Sequence, residues 1–90
     1  MPTENRLLPA YPNPFNPTTT IGFAVLNATP LTITVTDLLG KEVASLAKGQ
    51  VFSAGRHVIQ FNAEYLTSGT YLVRMEAGDF VQTRQITLLK

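Results

Sequence analysis

Leu31-Thr32-Ile33-Thr34-Val35-Thr36-Asp37-Leu38-Leu39-Gly40 decides the fold class of this chain. Apolar and polar residues alternate from Leu31 to Thr36, so Leu31, Ile33 and Val35 share one face and three threonines share the other. A period of two with one apolar side is a half-buried β-strand. One wet face further indicates an antiparallel sheet. Asp37 and Gly40 then frame a β-turn: the short carboxylate can accept from nearby backbone N–H groups, and glycine tolerates φ > 0. Glu42 to Leu46 reads as the short returning strand of a hairpin.

The same grammar extends in both directions. Toward the N-terminus, Asn27-Ala28-Thr29-Pro30 reads as a turn. Thr19 to Leu26 reads as a strand with Ile21, Phe23 and Val25 on one face. Toward the C-terminus, Lys48-Gly49-Gln50 and Ser53-Ala54-Gly55 bracket a predicted loop that holds Val51 and Phe52. His57, Ile59 and Phe61 alternate along the next strand, and Asn62 to Ser68 is a connection. Gly69-Thr70 opens a strand that puts Tyr71, Val73 and Met75 on one side. Gly78-Asp79 is a two-residue hairpin signal, and Phe80 to Leu89 is the last strand. Turn signals every ~8–12 residues with no useful helical period predict an all-β sandwich.

Composition narrows the functions available. Ninety residues make one domain at most, and a core of that size must be economical. A net charge of +1 gives no electrostatic reason to expect nucleic acid or an anionic membrane. The absence of cysteine excludes a disulfide framework and thiolate metal sites. No run approaches the ~18 apolar residues of a membrane-spanning helix, so no transmembrane segment is expected. Met1-Pro2-Thr3-Glu4-Asn5 lacks the basic and apolar regions of a signal peptide. An export signal, if there is one, is then expected elsewhere, the simplest arrangement being that these residues end a longer protein.

Catalytic constellations are missing. His57 is the single histidine; with no second ligand type nearby in sequence it reads as a rim histidine bonded to backbone. Glu4, Asp37, Glu42, Glu64, Glu76 and Asp79 fall mostly at turns or on wet faces, and no spacing pairs two of them across a cleft. The glycines form no phosphate-cradling loop, and the serines lack a nucleophile-elbow context. No cofactor, metal or small-molecule substrate is expected, and the protein reads as no enzyme. Arg56, Arg74, Arg84 and Lys90 would form a basic stripe only if their strands were neighbours. Tyr11, Phe15, Phe52, Tyr65 and Phe80 would stack sugars if two or three were exposed and coplanar; a small domain more often uses such rings as plugs for its core.

One stretch resists the strand grammar: Pro12-Asn13-Pro14-Phe15-Asn16-Pro17, between Tyr11 and Thr18. Its three prolines fix φ and remove three donors. They also bias Tyr11, Asn13 and Asn16 toward extended backbone. A rigid, bent entry segment follows, with asparagines suited to local side-chain turns.

Tyr11 to Ile21, with this proline run at its centre, resembles the opening of the C-terminal sorting domains, type A, of the type IX (Por) secretion system. Asp37-Leu38-Leu39-Gly40-Lys41-Glu42-Val43 resembles the family's central turn. Leu66 to Val73 resembles its Ser-Gly-x-Tyr strand, and Arg84 to Lys90 its terminal strand. The likeness covers residues 9–90. It implies an immunoglobulin-like β-sandwich of about seven antiparallel strands over residues 11–90; residues 1–10 read by their own sequence as a linker or irregular first strand, with Leu7 and Leu8 apolar enough to dock on an edge. It also implies a non-catalytic address label on a secreted or cell-surface protein that passes through the periplasm. The implied partners are an outer-membrane translocon and a sortase-like peptidase that removes the label or exchanges it for a lipopolysaccharide anchor. The positions carried over as partner-binding are Pro12, Asn13, Pro14, Gly69, Tyr71 and Lys90. The terminal strand departs from the pattern in being lean in lysine, with Arg84 and Lys90 in that place. The immunoglobulin-like part of flagellar hook-capping proteins shares the proline opening. Two readings stand beside this one: a carbohydrate-binding module, and a structural spacer, of a polysaccharide-degrading enzyme. Each proline-motif position also has a purely structural explanation. The terminal strand is the better candidate for direct recognition, because an edge strand offers unpaired backbone groups to a partner.

Overall fold

The computed structural model describes residues 4–90, and the first three residues of the expected linker lie outside that range. Seven strands follow one another: β1 (Arg6–Leu7), β2 (Thr18–Val25), β3 (Thr29–Thr36), β4 (Glu42–Phe52), β5 (Gly55–Asn62), β6 (Gly69–Ala77) and β7 (Phe80–Leu88). They form two antiparallel sheets, one in the order β1-β2-β5 and the other β4-β3-β6-β7. Each sheet is completed by strands distant in sequence. That is the crossed connection of an immunoglobulin-like sandwich.

Alternation decides which way each strand faces. Leu31, Ile33 and Val35 of β3 are fully buried, as are Val73 and Met75 of β6 beside them. Ile21, Phe23 and Val25 of β2 supply the facing layer. The threonines of β3 lie on the opposite, half-exposed face. The turn after β3 is built as its sequence predicts. Asp37 Oδ1 accepts from the backbone N–H groups of Leu39 and Lys41, both at 2.9 Å. Gly40 takes φ +88°, which a side chain would disfavour.

One departure from the sequence reading and two additions to it follow. β4 does not stop near Leu46; it continues to Phe52. The expected Lys48–Gln50 loop is one of three irregularities that break the β3–β4 register. Gly49 sits there at φ +63°, and its N–H bonds Thr32 Oγ1 at 3.0 Å, so the extra residue is absorbed as a bulge. β2 is covered on both sides, because Leu8 lies over Gly22 and Ala24 is buried as well. The stretch before Tyr11 enters the core: Leu7 is fully buried and pairs with Phe23 through β1.

Tyr71 closes a corner. Its ring is buried and its hydroxyl donates to Thr67 O, four residues back, at 2.7 Å. This is the tyrosine corner that immunoglobulin-like sandwiches place at the start of the corresponding strand. Among the described residues no buried side-chain polar atom lacks a partner.

Candidate functional site

The proline run does not stand apart from the sandwich; it lies along the outer edge of β7. Phe15 makes a parallel bridge to Leu88, with its N–H donating to Thr87 O and its carbonyl accepting from Leu89 N, both at 2.9 Å. Two residues earlier the Asn13 side chain does the work of a peptide group. Its Nδ2 donates to Gln85 O at 3.1 Å and its Oδ1 accepts from Thr87 N at 2.9 Å. A primary amide carries one donor and one acceptor in a peptide-like arrangement, so it can pair with an edge strand as a neighbouring strand would.

The segment is held from its other side too. Tyr11 and Thr20 exchange both backbone bonds, at 3.0 and 2.9 Å. Buried Thr19 donates from Oγ1 to Pro12 O at 2.7 Å. Phe15 then drops into the core beside Phe61, with ring centres 6.1 Å apart. The prolines suit this path, because a segment bonded to β7 through a side chain and a single residue needs few backbone donors of its own.

The N-terminal part of β7 meets β1 by the reverse device. Gln82 Oε1 accepts from Leu7 N, and Arg84 Nε donates to Leu7 O, both at 2.8 Å. Side chains of β7 therefore satisfy the backbone of β1, while a side chain of the proline run satisfies the backbone of β7. The expectation that the terminal strand presents unpaired groups is corrected here. β7 is an edge of its sheet, but Gln85 O, both backbone groups of Thr87 and Leu89 N are already bonded.

Of the positions marked in the sequence, Pro12, Asn13 and Pro14 are exposed and lie together on this seam. Lys90 is exposed at the far end; its N–H bonds Ser68 Oγ at 2.9 Å and its ammonium bonds Glu64 O. Gly69 pairs with Leu88 at the start of β6. Tyr71 is buried and holds the 67–71 corner, so it shapes the surface from beneath. Gln82, Gln85 and Thr87 belong to the seam although nothing in their sequence context singles them out; only the register of β7 does.

The remaining candidates separate. His57 bonds Ser53 O at 2.8 Å and stacks on Phe23 at 5.5 Å, as a rim histidine would. Arg74 pairs with Glu76 at 3.1 Å, Arg84 turns inward to Leu7, and Arg56 lies in the other sheet, so no basic stripe forms. Phe15 is buried, and Phe52 and Phe80 pack on the core, leaving Tyr11 and Tyr65 exposed. Among the described residues neither tyrosine pairs with another ring. A shallow depression lined by Asn5, Leu26, Asn27, Ala28, Thr29 and Ala77 holds no titratable group. No cluster of three His, Cys, Asp or Glu residues is found among the described residues. No helix there is long and apolar enough to cross a membrane.

A family model described as a secretion system C-terminal sorting domain matches residues 9–88, which include the proline run and all of β7. No curated protein matches the chain.

Proposed function

Because the chain belongs to the family of secretion system C-terminal sorting domains, we propose that its seam between the proline run and the terminal strand is the surface the secretion machinery reads. The domain is a sorting signal for type IX secretion, and the protein that carries it is secreted or displayed at the cell surface. Domains of this family are in general non-catalytic. Their task is to be bound.

The observation that carries the proposal is the pairing of Asn13 with Gln85 and Thr87. It makes one continuous surface from two ends of the chain that are 72 and 74 residues apart. Pro12, Asn13 and Pro14 supply its rigid rim, Lys90 its charged end, and Gly69 and Tyr71 the corner that fixes where Lys90 sits. A surface assembled in this way exists only after folding. It would let an outer-membrane translocon tell a folded cargo label from an unfolded chain. A sortase-like peptidase acting afterwards, on a route through the periplasm, completes the reading.

The test is a fusion of residues 1–90 to a periplasmic reporter in a host that has this secretion system. The unaltered fusion is expected outside the cell. Removal of Leu89 and Lys90 together with Pro12→Ala and Pro14→Ala is expected to retain the reporter in the periplasm while the domain still melts cooperatively. Undiminished export of that folded variant would exclude the seam as the recognised surface.

A further inference from the structure

The sandwich has four sheet edges, and three of them are managed. β1 is capped by Gln82 and Arg84, the C-terminal half of β7 by Asn13 and Phe15, and β4 is interrupted by three register irregularities. Capping and bulging are the usual defences of an edge against pairing with another chain. β5 has neither.

The bonding parity of β5 follows from its neighbour. On β2, Thr20 and Gly22 direct their backbone groups away from β5, to Tyr11 and Leu8. In an antiparallel ladder the alternate residues, Thr19, Ile21, Phe23 and Val25, then bond β5. Their partners are Phe61, Ile59, His57 and Gly55. Arg56, Val58 and Gln60 are left with N–H and C=O pointing off the edge, and β5 pairs with β2 alone. The ladder runs unbroken from Thr18↔Asn62 to Val25↔Gly55 with no register shift.

The side chains at these three positions are exposed, Val58 to 70%. They end three rows across the outer face: Arg6–Ala24–Arg56, Gly22–Val58 under the cover of Leu8, and Tyr11–Thr20–Gln60. The middle row is apolar. The first carries two cations, and among the described residues the only ion pair is Arg74 with Glu76, in the other sheet.

From these placements we infer that β5 is a second docking site, which accepts an extended segment of a partner polypeptide as an added strand. The segment carries a carboxylate opposite Arg56 and, two residues along, an apolar side chain opposite Val58. Main-chain bonds to residues 56, 58 and 60 hold it, and the alternate side chains give specificity. A second copy of this chain fits less well. Paired through its own β5, it would bring a second Arg56 and no acid to the Arg6–Arg56 row. The inference rests on the sorting role only for the identity of the partner, not for the binding itself.

Two experiments test it, one independent of secretion. The domain is titrated with a synthetic strand peptide, Thr-Glu-Thr-Val-Thr-Gln-Thr, while backbone amide resonances and exchange are followed. Slowed exchange at Arg56, Val58 and Gln60 is expected, with at least roughly tenfold weaker binding when the peptide's Glu is replaced by Lys. Absence of any change along β5, or a response confined to β7, overturns the inference. In the export assay, Val58→Pro removes an outward N–H without removing a ladder bond. It is expected to lower export at least roughly tenfold, whereas Val51→Thr, at an exposed valine of β4 outside the site, leaves it unchanged. Should Val58→Pro not fold, Arg56→Glu carries the same expectation with the backbone intact. Normal export of a folded edge variant, alongside an exported unaltered fusion, sinks the β5 site and leaves the sorting role standing. Failure of the unaltered fusion itself sinks the sorting role, and the peptide titration then decides β5. Concentration-dependent dimers abolished by Val58→Pro would name a second copy as the occupant and overturn the partner segment.

Discussion

The two long sides of the sandwich meet the same chemical problem and answer it differently. Along one side, β1 and β7 bring unpaired backbone to the rim, and side chains from across the gap close it: Gln82 and Arg84 onto Leu7, Asn13 onto Gln85 and Thr87. Along the other, β4 is bulged at Gly49 and elsewhere, and β5 runs straight with its outer edge paired to no strand among the described residues. An unpaired group at the surface costs little because water bonds it, whereas one sealed beneath a chain segment must find a partner. The closed side is therefore a structural joint whose substitutions should register in stability. The open side is a surface whose substitutions should register in binding.

That contrast can be broken by measurement. The largest effect is expected from Tyr71→Ala, which removes a buried ring and its corner bond beneath the closed side; a loss of about 3–5 kcal/mol should appear in denaturant unfolding. A melt left unchanged would mean that the corner is not part of the joint. Leu7→Ala comes next, at about 2–4 kcal/mol, because β1 contributes a fully buried side chain to the core. A loss below about 1 kcal/mol would show that the segment before Tyr11 is only laid on the domain. For Asn13→Ala the expected loss is about 1–2 kcal/mol, with exchange of the Thr87 amide accelerated roughly tenfold while amides in β3 keep their protection. Uniform acceleration would dissolve the distinction between joint and core.

The open side should respond more weakly. Gly49→Ala, forced to hold a left-handed bulge, is expected to cost about 1 kcal/mol. Val58→Thr, at an exposed strand position, should change stability by less than about 0.5 kcal/mol. A larger loss at Val58 would show that the β5 edge is packed against something and not free.

How much of this could be read beforehand varies along the chain. The two central strands of the larger sheet are plain, because Leu31-Ile33-Val35 and Tyr71-Val73-Met75 alternate without interruption and both lie inside that sheet. The hairpin at Gly78-Asp79 was equally plain, since Ala77 pairs with Phe80 across a two-residue turn. β4 was cut short because a bulge and a loop share one signal, glycine flanked by polar residues; only pairing with β3 separates them. The family signature in Pro12–Pro17 was visible, but its partner was not. Nothing in the string says that Asn13 reaches Gln85 and Thr87, since side-chain bonds over such separations leave no periodic trace.

Local pattern alone determined that this chain is built of antiparallel strands, which side of the alternating ones faces inward, and where most of the turns fall. Those properties depend on neighbours two to four residues apart. The tertiary structure decided which strands are edges and which edges are covered. Edge status depends on sheet order, and a covered edge depends on a hydrogen bond between distant segments, neither of which any short stretch of sequence contains.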